Sequence, residues 1–208
     1  MFQLSSDIHS FANVGGFGID GGVSSMLGAS IVAPDKLFFG IFGDLAFFYD
    51  MNSIGNRHVG NNVRILVVNN GRGQEFRNHY HTGFLFGDDA DKYIAAAGHF
   101  GNQSHTLLKH YAEDLGFEYL SASTKEQFKE VYSRFISSEP LAKPIVFECF
   151  TETHDETAAL KAYWNVEKDA KNAILYHAIK TLGGRAAVRK MLGAKGVKFF
   201  RTLFRKKI

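Results

Sequence analysis

Two short apolar runs constrain this chain more than anything else in it: Leu37–Phe42, reading LFFGIF, and Val63–Val68, reading VRILVV. Each is too short for a helix and runs on without polar alternation, which is how a strand covered by helices on both faces reads. Each ends in a polar turn signal, Gly43-Asp44 after the first and Asn69-Asn70-Gly71 after the second. Between them Leu45–Asn56 carries apolar residues at 45, 48, 51 and 54, which predicts a helix, and Arg57–Asn62 is polar and turns the chain. The pieces make a βαβ unit, whose parallel strands bring their carboxyl ends to one edge. An Asp and an Asn would then share the edge at which open α/β sheets bind ligands. A hard divalent cation bridging to a diphosphate suits that carboxylate and amide oxygen, with a backbone carbonyl or water completing its shell.

The 208 residues fit one α/β domain with an appendage. Upstream of the βαβ unit, Gly15–Gly22 is a glycine-rich turn opening a helix of small residues, VSSMLGASIVA, that ends at Pro34-Asp35. Its N-terminus could face an anion. Gly16, Gly18 and Gly21 spell G-x-G-x-x-G, a weak dinucleotide signal, since the strand before it would be only Ser10–Val14. Downstream, the stretch from Gly71 to Thr106 is rich in Gly, Asn and His, with one short helix candidate near Asp91–Ala97, and reads as a functional loop. His79, His81, His99, His105 and His110 match no closed metal-site spacing and read as surface or hydrogen-bonding histidines.

Leu107–Leu115 then has a helical pattern capped by Gly116, and Phe117–Leu120 is a short strand. Thr124–Ile136 is a helix with Ser123 or Thr124 as cap and Gln127 placed for a capping box, and Pro144–Phe150 is the last buried strand. This order predicts an α/β domain over residues 1–162, a doubly wound, mainly parallel sheet with helices on both faces, followed by a basic amphipathic helical tail over 163–208.

The single Cys149 excludes an intramolecular disulfide, agrees with a reducing compartment, and in the run IVFECF reads as a buried structural thiol. No run of 18 apolar residues and no leader-like N-terminus is present, so a cytoplasmic protein is expected. The net charge of +3 conceals an asymmetry: residues 165–208 carry twelve Lys/Arg against two acidic residues, and the rest twelve against nineteen. The tail's apolar positions recur at helical spacing, which suits helices packed on the domain or a partner, or a segment lying on an anionic membrane surface. Nucleic acid is not expected, because stacking platforms interleaved with base-reading polar groups are not evident.

Gly43-Asp44 followed by Asn69-Asn70, with Asp44 and Asn70 separated by 26 positions, resembles the motif of the diphosphate-binding domain of thiamine diphosphate enzymes. Gly15–Gly21, with its Gly-Ile-Asp-Gly turn, and the run from Gly43-Asp44-Leu45 through Tyr49-Asp50-Met51-Asn52 are most similar to the C-terminal domain of the menaquinone-pathway synthase that joins 2-oxoglutarate-derived succinic semialdehyde to isochorismate. The likeness covers roughly residues 13–155. It implies that Asp44 and Asn70 ligate Mg²⁺ through side-chain oxygens and Arg72 through its carbonyl. It further implies that Gly18, Ile19, Asp20, Gly43, Leu45, Ala46 and Phe76 lie along thiamine diphosphate. Ile19 would be the catalytic support that props the cofactor in its V shape, bringing the aminopyrimidine nitrogen near the thiazolium carbon.

Taken singly these residues have plainer readings: Asp44 as a helix cap, Asn70 as a turn residue, Ile19 as core. The pyrimidine-binding domain that bears the family's catalytic glutamate has no counterpart in these residues. The likeness therefore implies a half-site, inactive alone, completed by a pyrimidine domain or subunit in a homodimer or hetero-oligomer. Val14 stands where the synthases carry a substrate-binding arginine. A relative acting on another 2-oxo acid, as in cell-surface polysaccharide biosynthesis, is thus equally expected. A non-catalytic assembly module of this fold, and less so a dinucleotide-binding oxidoreductase domain, are the alternatives.

Overall fold

The structure is a computed structural model that describes residues 5, 8–12, 19–78, 81–93 and 103–166. The chain divides into two units, residues 1–157 and 158–208. Most of the tail, from residue 167, lies outside the described residues, as do Asn13–Gly18, His79 and His99.

Among the described residues of the first unit, four strands form one sheet: β1 (Phe38–Gly43), β2 (Val63–Asn69), β3 (Glu118–Ala122) and β4 (Ile145–Phe150). Their order is β1-β2-β4-β3 and every neighbouring pair is parallel. This is the expected α/β architecture. The α-helices among the described residues are α1 (Gly22–Val32), α2 (Asp44–Tyr49), α3 (Ala90–Tyr93), α4 (Leu107–Asp114), α5 (Lys125–Phe135) and α6 (Thr153–Val166).

Handedness decides which face each connection covers. The steps β1→β2 and β2→β3 run one way across the sheet and β3→β4 runs back, so right-handed crossovers put α2 and α4 on one face and α5 on the other. Accordingly Phe47 of α2 and Leu108 and Ala112 of α4 pack with Val63, Ile65, Val67 and Val146, joined by Val23 and Leu27 of α1. Phe135 of α5 packs with Ile145, Phe147 and Ala122 on the opposite face. Val63, Ile65, Val67, Val146, Ile145 and Phe147 have no exposed surface. Burial of each such side chain is worth about 1.5–3 kcal/mol.

Several local expectations are met and others corrected. Gly116 takes a φ of +86°, and its N–H and that of Phe117 donate to the carbonyls of Glu113 and Ala112, closing α4 in a Schellman turn. Phe117 therefore belongs to the turn and is buried, and β3 begins one residue later than expected and extends to Ala122. The Thr124 hydroxyl accepts from the N–H of Gln127, but the Gln127 amide oxygen accepts from the N–H of Ser123 rather than of the cap residue. The helix expected over Leu45–Asn56 is two pieces: α2 stops at Tyr49 and a 3₁₀ turn spans Met51–Gly55. Near Asp91–Ala97 the described part is a 3₁₀ segment, Thr82–Asp89, running into α3. Arg64, inside the second apolar run, is buried on the α5 face, where Nη1 donates to the carbonyls of Asn61 and Val63.

Candidate functional site at the carboxyl edge of the sheet

Gly43 pairs with Val68, so the end of β1 lies beside the end of β2, and Asp44 and Asn69-Asn70 emerge next to each other. Asp44 is the first residue of α2 and is 1% exposed. Burial pushes its carboxyl up to about 6; the backbone N–H groups of Leu45 and Gly71 pull the other way, and the negative charge of Glu156 adds to the rise. One of its oxygens, Oδ2, is buried with no hydrogen-bond partner. An unsatisfied buried carboxylate oxygen is costly and calls for an explanation.

Two successive turns shape the loop that faces it. Asn69 Oδ1 accepts from the N–H of Gly71 at 3.1 Å, and Asn70 Oδ1 accepts from the N–H of Arg72 at 2.9 Å. Gly71 has a φ of +79°, and a Cβ there would meet Gln103 at 3.0 Å, so glycine is required on both counts. The Asn70 amide nitrogen donates to Glu156 Oε2 at 2.7 Å, and the Thr151 hydroxyl donates to the other oxygen of that carboxylate. With its nitrogen so engaged, Asn70 keeps one oxygen lone pair free for a further ligand. An orphaned carboxylate oxygen at the end of β1, with an amide oxygen and a backbone carbonyl in the turn after β2, is the oxygen chemistry that a hard divalent cation takes. Among the described residues no group of three His, Cys, Asp or Glu side chains forms a metal cluster.

The other expected residues fall around this edge unevenly. Gly43 has ordinary extended dihedrals and open space where a Cβ would stand, so its value is access, not backbone freedom. Leu45 is buried and Ala46 partly so. Leu45 and Phe76 flank Gly73, each 3.1 Å from where its Cβ would be, and Phe76 meets the His81 ring edge-on at 4.9 Å. Ile19 and Asp20 lie just before α1, Ile19 at 37% exposure, with no hydrogen bond to the Asp44 cluster among the described residues. Gly18 is outside the described residues.

The anion expected at the N-terminus of α1 is one of the chain's own groups. Asp50 Oδ2 accepts from the N–H of Ser24 at 2.6 Å, capping the helix from the bend that ends α2. Asp50 also lies at the break of the Leu45–Asn56 segment, between α2 and the 3₁₀ turn.

Sequence reasoning named Asn69 only as part of the motif, with no role of its own, and missed three further residues here: Gln103, Glu148 and Glu156. Glu148, fully buried on β4, accepts from the Tyr119 hydroxyl and from Asn69 Nδ2, both at 2.6 Å. Burial raises its carboxyl and the Tyr119 phenol alike. Gln103 donates to the carbonyl of Asn69 at 2.6 Å, and the His105 ring packs on Phe150 at 4.4 Å. Cys149 is half-buried rather than buried, and desolvation pushes its thiol up to about 11, so it stays protonated at neutral pH.

No protein-family model matches the chain. Curated relatives do. The 2-succinyl-5-enolpyruvyl-6-hydroxy-3-cyclohexene-1-carboxylate synthase of Bacteroides fragilis is 33% identical over 169 residues, 81% of this chain and 29% of the relative. That of Bacteroides thetaiotaomicron is 35% identical over 165 residues, 79% and 28%, and that of Christiangramia forsetii 31% identical over 169 residues, 81% and 27%. The chain thus spans less than a third of the length of these relatives. Over about four fifths of its own length, the chain is a relative of the 2-succinyl-5-enolpyruvyl-6-hydroxy-3-cyclohexene-1-carboxylate synthases.

Proposed function

We propose that this chain is the thiamine diphosphate- and Mg²⁺-binding part of a 2-oxo acid decarboxylase or carboligase related to those synthases. The observation that carries the reading is the buried, unpartnered Asp44 Oδ2 at the end of β1, whose neighbour β2 ends at Asn69-Asn70. In this reading Asp44, Asn70 and the Arg72 carbonyl hold Mg²⁺, and Gly43, Leu45 and Ala46 lie along the diphosphate. Ile19, Asp20 and Phe76 would complete the cofactor's surroundings, with Ile19 as its apolar support. When bound, thiamine diphosphate supplies the carbanion chemistry that breaks the bond next to a 2-oxo carbon. The chain's own residues orient the cofactor. Asp44 supplies the negative charge that the cation needs, and Glu156 holds the Asn70 amide with its oxygen turned away from α6.

The proton-transferring glutamate comes, in this reading, from a pyrimidine-binding domain or subunit. The isolated chain is then expected to release no CO₂ from 2-oxo acids in the presence of thiamine diphosphate and Mg²⁺. Mixing it with a pyrimidine domain from a related synthase restores release, and Asp44→Ala abolishes the restored activity. Turnover by the chain alone, or restored activity indifferent to Asp44→Ala, contradicts the reading.

A further inference from the structure

We infer that Glu148 is a positioning residue for the metal-binding turn, acting through Asn69; the inference rests on the cofactor reading above. Glu148 has no exposed surface and sits among apolar neighbours on β4, where Ile145, Val146 and Phe147 are equally buried. A valine or leucine could fill a strand position of this kind. Replacing a buried charge by an apolar side chain is often neutral or stabilising, so packing does not account for a carboxylate here.

Its hydrogen bonds do. Oε2 takes the Tyr119 hydroxyl and Oε1 takes Asn69 Nδ2. Both carboxyl oxygens act as acceptors here, so Glu148 faces the nitrogen end of the Asn69 amide. The nitrogen must point to Glu148 and the oxygen to the loop, where it takes the N–H of Gly71. A reversed amide would set oxygen against carboxylate and N–H against N–H. The Asn69 main chain is fixed as well, since its carbonyl accepts from Gln103 and from the N–H of Thr151. The next residue is Asn70, and the Gly71 N–H that Asn69 holds also faces the Asp44 carboxyl. The orientation of one buried amide is thereby passed to both side chains that would grip the cation. Glutamine at 148 has nearly the same shape but can satisfy either orientation of Asn69, so it removes the instruction while keeping the packing.

The test is calorimetric titration of the full chain with Mg²⁺ and thiamine diphosphate, alongside thermal unfolding of each variant without ligand. Glu148→Gln is expected to weaken binding by about tenfold or more, as loss of an outer-shell partner does. Tyr119→Phe removes the other hydrogen bond of Glu148 but leaves its link to Asn69, and is expected to bind like the wild type even where its unfolding temperature falls. Asn69→Ala cuts the same link from the other end and serves if the glutamine variant does not fold; it is expected to show the same loss. Wild-type affinity in Glu148→Gln, or an equal loss in Tyr119→Phe, overturns the inference. A wild-type chain that does not bind Mg²⁺ and thiamine diphosphate overturns the cofactor reading itself, and the inference with it.

Discussion

Burial of Asp44 costs the metal-free domain stability, and the sign of that cost sets a pH dependence. The carboxyl is raised from 3.8 to about 6, chiefly by desolvation, so the folded state binds its proton more tightly than the unfolded chain does. Its contribution is therefore most favourable below about pH 4 and is lost as pH rises through about 6, a difference of roughly 3 kcal/mol. Asp44→Asn keeps the shape and removes the ionisation. In urea unfolding without metal, the variant is expected to gain on the wild type between about pH 4 and about pH 7, and to match it more closely at the acid end. A stability difference independent of pH would show that the buried carboxyl is not the source of the cost. The same residue illustrates what a sequence conveys: its type and its place after an apolar run were readable, whereas its orphaned oxygen follows from packing between elements.

At the scale of elements, the turn after β2 makes the sharpest demand. Gly71→Ala puts a side chain at a φ of +79° and 3.0 Å from Gln103. It is expected to destabilise the chain by about 1–3 kcal/mol, measured by chemical unfolding, and to weaken cation binding as the Asn69 and Asn70 turns open. Unchanged stability would mean that the turn relaxes freely. The strands and α4, α5 were legible because each has a local signature: a buried apolar run, the Gly116 stop, the Thr124 and Gln127 cap. The break in the crossover was not legible, because the apolar residues at 45, 48, 51 and 54 run through both the α-helical and the 3₁₀ piece. Glu148 could not be read locally either. Its partners lie 79 and 29 positions away, and only strand order brings them together. Glu156, 86 positions from Asn70, was hidden for the same reason.

For the whole molecule, the site occupies one edge of one sheet, and the matched part of the chain spans less than a third of its relatives' length. Among the described residues no helix is long and apolar enough to cross a membrane. The basic tail, mostly outside the described residues, is legible only as charge and spacing, which suit helices packed on the domain or a partner, or a segment lying on an anionic membrane surface. Co-sedimentation with anionic vesicles separates the two: binding by the full chain but not by one lacking residues 165–208 supports the membrane role, and equal binding by both rejects it. The central claim concerns the carboxyl edge of the sheet, where β1 and β2 offer Asp44 and Asn70. Calorimetric titration of the full chain with thiamine diphosphate, with and without Mg²⁺, and with NAD and NADP for comparison, tests it most directly. The account predicts Mg²⁺-dependent binding of thiamine diphosphate that Asp44→Ala abolishes. No binding, or binding that survives the loss of Asp44, would contradict it.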